Sequence, residues 1–384
     1  MTQKRKRSCD DISVGKRRRT QEVTTFSVLP LTESNLAALD EATMPPTRRS
    51  RGSTKGGSAS ATTTTDSKAL ADLQSCLNIH RIFIRKAHTR PSALAVLVKG
   101  LMRSREAPIT PSSRIISRLH SNTRTMQERD ALMHLCNYIF YRPSTEPNGE
   151  RSIFRGLDHR WSANCVPQPD SSGDTVLRDA LEAVGIPPRP TPDVTYGYDQ
   201  STFTQSERDS IAALSAKSKV TGTNNEPHFP FLVVEWKSRR GDADKAELQA
   251  ARCGAAGVYT HWQFLREAGG RTPQPEDTAI FSARVTGDTI DLYVHWRRMD
   301  PRDGLSWEMD KIRSAFLDQE EDVYKVRSLL LEILDWARGD RLHQIKAALA
   351  LRNKPRTLSH VEIPATTSHR YGLLSVPQLA VDCY

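Results

Sequence analysis

Phe229-Pro230-Phe231-Leu232-Val233-Val234-Glu235-Trp236-Lys237 is a strand-forming apolar run that ends in a carboxylate and an ammonium two positions apart. Alternate side chains of a strand share a face, so Glu235 and Lys237 point the same way. The preceding Phe-Leu-Val-Val is apolar on both faces, the pattern of a strand covered on both sides. Two accounts fit such an ending: a charge pair on a solvated sheet face, or a chemical site. Charges at the end of a buried strand are costly without a partner or ligand, which favours the site.

Working outward, Thr191-Pro192-Asp193-Val194 supplies a second carboxylate. The proline-rich run from Ile186 to Pro192 cannot be helical and delivers the chain, extended, to Asp193. Val194, Tyr196 and Tyr198 then alternate as a short strand. Those tyrosines read as packing rather than as a base-stacking surface. Before them, Asp174 caps a helix carrying Val176, Leu177, Ala180, Leu181 and Val184, with Glu182 on it and Gly185 as its stop. A helix over 203–217 and a turn near 221–227 lead to the central strand. After it comes a long helix from about Ala243 to Ala268, whose Ala246, Ala250, Ala251, Gly254, Ala255 and Gly257 allow close packing on a sheet; Gln249 lies on it. Ala279–Val285 and Thr289–Trp296, joined at Gly287-Asp288, predict a β-hairpin. Helices near 319–337 and 340–351 follow. The expected fold is α/β, a mixed β-sheet sandwiched by helices.

Hydrolysis of a phosphodiester requires a cation held by hard oxygens, an oriented water and stabilisation of developing negative charge. Asp193 and Glu235 can supply two oxygens to Mg2+ (or Mn2+), with a backbone carbonyl near Trp236 as a third. Lys237 can orient the water and offset charge. Arg239, Arg240, Arg297 and Arg298 are further candidates for substrate phosphates, against the alternative of solvated loops. His261 beside Trp262 and His295 beside Trp296 read as packing histidines.

Pro192-Asp193 with Glu235-Trp236-Lys237 resembles the PD-(D/E)XK nuclease superfamily. The wider stretches, Pro192 to Asp199 and Pro230 to Lys237 with Gln249 in the following helix, resemble a fungal family of nuclease-like domain proteins. The resemblance covers about residues 174–300. It implies a restriction-endonuclease-like core and metal-dependent cleavage of nucleic acid, DNA or RNA. It carries catalytic roles to Asp193, Glu235 and Lys237, an accessory acid to Glu182 and a supporting amide to Gln249. One departure is the helix between Asp193 and Glu235, where the superfamily has a tight hairpin. The alternative is a catalytically inactive nuclease-fold module that binds nucleic acid or protein.

The 384 residues carry a net charge of +10 and only 37% hydrophobic residues, a low share for a uniformly packed chain. Residues 1–55 hold 12 Lys and Arg against 6 Asp and Glu, so more than half of the net charge lies there. Residues 1–66 read as a disordered basic tail. Within it, Lys4-Arg5 and Lys16-Arg17-Arg18-Arg19 flank a ten-residue spacer, the spacing of a bipartite import signal for an importin; nonspecific contact with nucleic acid is the compatible alternative. A nuclear location follows as an expectation. Residues 67–172 read as a helical arm followed by loops, 173–352 as the nuclease-like domain and 353–384 as a tail. Six scattered cysteines, with no CxxC pair, fit neither a disulfide framework nor a zinc site. Apolar runs are too short for a membrane span, and the basic start has no secretory apolar region.

Overall fold

The computed structural model describes residues 62–85, 90–103, 113–123, 126–140, 152–171, 174–218, 227–237, 242–269, 272–301 and 304–353. The basic clusters at Lys4-Arg5 and 16–19, the Arg239-Arg240 pair and residues 354–384 lie outside them.

Helix α1 (Thr62–Ile79) leads into strand β1 (Ile82–Arg85). Helices α2 (Ser92–Leu101), α3 (Ser113–Thr123) and α4 (Glu128–Ile139) precede β2 (Ile153–Leu157). Then follow α5 (Thr175–Val184), β3 (Val194–Tyr198), α6 (Gln205–Ser218), β4 (His228–Trp236) and α7 (Ala243–Gly269). The chain continues through β5 (Ile280–Val285), β6 (Thr289–Asp300), β7 (Gly304–Phe316), α8 (Glu320–Trp336) and α9 (Leu342–Asn353). All seven strands form one mixed sheet in the order β1-β7-β6-β5-β4-β3-β2.

Two pairings position the site. β3 and β4 are antiparallel neighbours although α6 separates them in sequence. β4 and β5 are parallel, and α7 makes the crossover between them. The α7 face of the sheet gathers Leu248, Ala251, Ala255 and Val258 against Ile280, Tyr293, Trp307 and Met309. The opposite face packs Tyr196, Val234, Trp236, Phe281 and Val294 against Leu94, Ile116, Leu135, Leu329 and Ile345 from the remaining helices. Both faces of β4 are therefore covered, as its continuous apolar run predicts.

The small residues of α7 permit this closeness. A Cβ on Gly254 would lie 2.2 Å from the His295 ring, and one on Gly257 would lie 3.1 Å from Ile280. At the start of β4 the pairing with β3 is irregular between Tyr196 and Tyr198. There a Cβ on Gly197 would meet the His228 carbonyl oxygen at 2.6 Å, and Phe229 adopts φ +48°. Phe229 is held in that unusual conformation by aromatic neighbours, with the Phe264 ring centroid 4.6 Å away. Arg341, fully buried in a π-helical turn after α8, donates to the carbonyls of Ala279 (3.1 Å) and Pro230 (3.2 Å), tying the starts of β4 and β5 together.

Several expectations need correction. The loop-like stretch 142–172 contains β2, antiparallel to β3, and the helical stretch before it contains β1, parallel to β7. The expected hairpin is present as the antiparallel pair of β5 and β6, and β7 extends it to a three-stranded meander by pairing along the whole of β6. Four- and five-residue strands carry too few alternations to show a period, and their pairing is set by neighbours distant in sequence. The Asp174 cap is present, with Oδ1 accepting from the Leu177 amide at 2.9 Å, and Gly185 ends the helix at φ +74°. Tyr196 and Tyr198 are fully buried, and Tyr198 Oη donates to the Ala337 carbonyl at 2.7 Å, which is packing. Among the described residues, no helix is long and apolar enough to cross a membrane.

Candidate active site

Asp193 and Glu235 meet because of strand register. Val194 pairs with Val234, and the same register continued by one residue sets Asp193 opposite Glu235. Directly opposed residues of an antiparallel pair have Cβ atoms about 5 Å apart on one face. That face is the α7 face, since Val233, two residues before Glu235, packs with Cys253 and Ala256. Asp193 also closes the end of the sheet: its Oδ2 accepts from the Trp236 amide at 2.6 Å. Lys237 Nζ lies 4.0 Å from that oxygen and donates to the Trp236 carbonyl at 2.6 Å. The Lys237 amide in turn bonds the Val285 carbonyl at 2.8 Å, which anchors the end of β4 to β5.

Glu235 is 1% exposed. Burial, then repulsion by Asp193, push its carboxyl up to about 8, against the weaker opposing effects of the Cys253 thiol, Lys237 and Arg252. The thiol donates to Glu235 Oε1 at 3.2 Å. Burial and the same carboxylate hold Cys253 well above the usual thiol range, so it is a hydrogen-bond donor rather than a nucleophile. Arg252, next to it on α7, is buried, and its Nε has no hydrogen-bond partner. Trp161 covers the side of the site: its Nε1 donates to Thr195 Oγ1 at 3.3 Å, and its amide bonds the Pro190 carbonyl at 3.0 Å.

A family model described as a domain of unknown function, DUF7924, matches residues 115–349. The chain belongs to this family. No curated protein matches it. The DUF7924 domain extends from within α3 to within α9, so it contains every strand except β1 and every residue of the site.

Within the DUF7924 domain, the structure brings together three of the residues singled out from sequence, and a fourth lies on the facing helix. Asp193, Glu235 and Lys237 stand as described. Gln249 follows from helix geometry. α7 runs antiparallel to β4, with Cys253 level with Glu235. One turn back along the helix is about 6 Å, close to the rise of two strand residues toward Lys237. Gln249 is half-buried there, and its Oε1 is a buried acceptor with no partner. Glu182 is different: it is exposed on α5, and no hydrogen bond or ion pair links it to Asp193 or Glu235.

Sequence reasoning missed Arg252, Cys253 and Arg284. The first two share the α7 surface that bears Gln249, a signal available from the four-residue spacing of Gln249 and Cys253. Arg284 is the β5 partner of Glu235 in the parallel register. It is paired with Asp291 of β6, which also accepts from Lys311 at 3.2 Å. A row of charged side chains thus runs from β3 to β7 at one end of the sheet. The histidines behave as packing groups: His295 bonds Ser282 Oγ at 2.7 Å, and burial lowers its imidazole to about 3.

Among the described residues, no three or more His, Cys, Asp and Glu side chains group so as to hold a metal ion. The two opposed carboxylates are a smaller set. Their chemistry still fits a hard divalent ion, because Mg2+ commonly takes one or two carboxylates and completes its shell with water and substrate phosphate.

Proposed function

We propose that this protein is a metal-dependent nuclease-like phosphodiester hydrolase built on a restriction-endonuclease-like core. The observation that carries the reading is the juxtaposition of Asp193 with Glu235 across β3 and β4, with Lys237 beside them. Burial first, and then repulsion by Asp193 on the same face, push the Glu235 carboxyl upward; a divalent cation is a ligand class that relieves such a pair. The order α5-β3-α6-β4-α7-β5, with β3 and β4 antiparallel, α7 as a helical crossover and β5 parallel to β4, supports the same core apart from the inserted α6.

In this reading Asp193, Glu235 and the Trp236 carbonyl would hold Mg2+ or Mn2+. A bound ion supplies Lewis acidity at a phosphoryl oxygen and lowers the pKa of a water. The chain itself supplies the rest. The Lys237 ammonium sits where it can offset negative charge on the scissile phosphate. Gln249 Oε1, an acceptor without a partner, is placed to orient a water. The Trp161 indole and the α7 packing exclude bulk solvent from the Glu235 side. The basic tail directs the protein to the nucleus through an importin.

A second reading, a nuclease-fold module that binds without cutting, is favoured by one observation. Lys237 donates to the same Trp236 carbonyl that would serve as a ligand, and Asp193 accepts from the Trp236 amide. The site groups thus satisfy one another.

Cleavage of single- and double-stranded DNA and RNA, with Mg2+ or Mn2+ and with EDTA, separates the two. Wild type should cut only with metal, and Asp193→Ala and Lys237→Ala should each lose about 100-fold or more. Equal activity in all three chains would remove the catalytic assignment.

A further inference from the structure

We infer that Trp262, Arg266 and Arg297 form a second contact surface for nucleic acid, a platform that binds the phosphate backbone away from the carboxylate pair. The inference rests on the nucleic-acid reading of that site, and it extends the substrate footprint along the molecule.

Two guanidiniums stack on one indole. The Arg266 Cζ lies 4.5 Å from the Trp262 ring centroid, and the Arg297 Cζ lies 4.4 Å from it. Arg266 is one turn after Trp262 on α7, and Arg297 comes from β6, so the helix and the sheet jointly build the arrangement. Among the described residues, neither arginine has a carboxylate partner within ion-pair distance. This contrasts with Arg284, Arg85 and Arg298, each of which is paired with an acid.

The arrangement is costly without an anion. Burial first, and then the neighbouring charge of Arg266, lower the Arg297 pKa. Arg297 Nε and Trp262 Nε1 are buried donors with no hydrogen-bond partner. Among the described residues, neither guanidinium donates a hydrogen bond to a protein acceptor, so contact with the ring leaves donors for a ligand. A phosphodiester oxygen pair matches that edge, since planar guanidinium binds phosphate in a bidentate manner.

The position suits a polymer rather than a free ion. Trp262 lies 13 residues after Gln249 on α7, about 20 Å along the helix axis. A strand with an axial rise of about 3.4 Å per nucleotide covers that distance in about six nucleotides.

The test uses the full chain carrying Lys237→Ala, in EDTA, so that the probe is not consumed. A fluorescein-labelled 20-nucleotide DNA strand, and an RNA strand of the same sequence, are titrated by anisotropy over a range of NaCl concentrations. Adding Arg266→Gln with Arg297→Gln should weaken binding at least tenfold. The plot of log affinity against log salt should become shallower by about 1.4, the release expected for two phosphates on a single strand. Arg266→Lys with Arg297→Lys should keep most of the salt dependence. If the double glutamine chain melts lower than its parent, Arg266→Gln alone, at an exposed side chain, tests one phosphate by the same plot. Unchanged affinity and slope in the glutamine chains would overturn the proposal. So would a parent chain that binds neither strand, or displacement by polyglutamate as effective as by unlabelled DNA. Hydrolysis of bis(p-nitrophenyl) phosphate with Mg2+ in the wild-type chain, a substrate too small to reach the platform, reports on the carboxylate site alone. Arginine-dependent binding without any such turnover would keep the platform and remove the nuclease reading.

Discussion

Asp193 and Glu235, 42 positions apart, face each other across one antiparallel register, one residue beyond the Val194–Val234 pair. Their carboxylates share a covered face on which, among the described residues, the Cys253 thiol is the hydrogen-bond donor to Glu235. The pair is thus a source of instability that a ligand would relieve.

Glu235→Gln should therefore stabilise the metal-free protein. The substitution removes a buried like charge and keeps an acceptor for the Cys253 thiol. We expect a gain of about 1 kcal/mol or more at pH 8, read from urea unfolding. A loss of stability would show that Glu235 is already compensated in the folded chain.

His295 predicts an acid sensitivity. Its folded pKa is lowered to about 3 by burial, while the unfolded chain protonates near the ordinary 6.5. The unfolded state therefore binds the extra proton first, and the contribution is fully present above pH 6.5 and lost as pH falls toward 3. Between pH 7.5 and 5.5 this group should remove about 1.4 kcal/mol, and His295→Gln should flatten that part of the pH profile. An identical profile in wild type and variant would exclude the group.

Gly254→Ala places a Cβ 2.2 Å from the His295 ring, which must move. Overpacking costs about 1–3 kcal/mol, and the better helix propensity of alanine offsets under about 1 kcal/mol. The net expectation is destabilisation by about 1–2 kcal/mol. Paired with His295→Ala, the two effects should be strongly non-additive, because the ring is the object struck. Simple additivity in a double-mutant cycle would place the strain elsewhere.

Deleting residues 1–20 from a fluorescently tagged chain should abolish nuclear accumulation, since both basic clusters lie within them. Retained accumulation would assign the signal to another segment.

The elements nearest the site were the most legible. An apolar run closed by Glu-Trp-Lys, a proline-rich approach to Asp193 and a small-residue helix each carry their own local signal: period, breaker or packing size. Glu182 was carried over by resemblance alone, and it stands exposed on α5 without a link to the carboxylates. Cys253, by contrast, gave no signal as a thiol, because its role comes from the carboxylate set beneath it.

The sequence by itself determined that the chain forms an α/β structure, that Glu235 ends a buried strand and that Lys237 shares its face. Those are consequences of local periodicity and of the cost of burying charge. Only the tertiary structure decided that β3 pairs with β4 across the intervening α6, which puts Asp193 opposite Glu235. It likewise recruited β1, β2 and β7 to the sheet and set Arg266 and Arg297 on one indole. Strand order and register are choices among partners far apart in sequence, made by the packing of whole faces, and no local pattern encodes them.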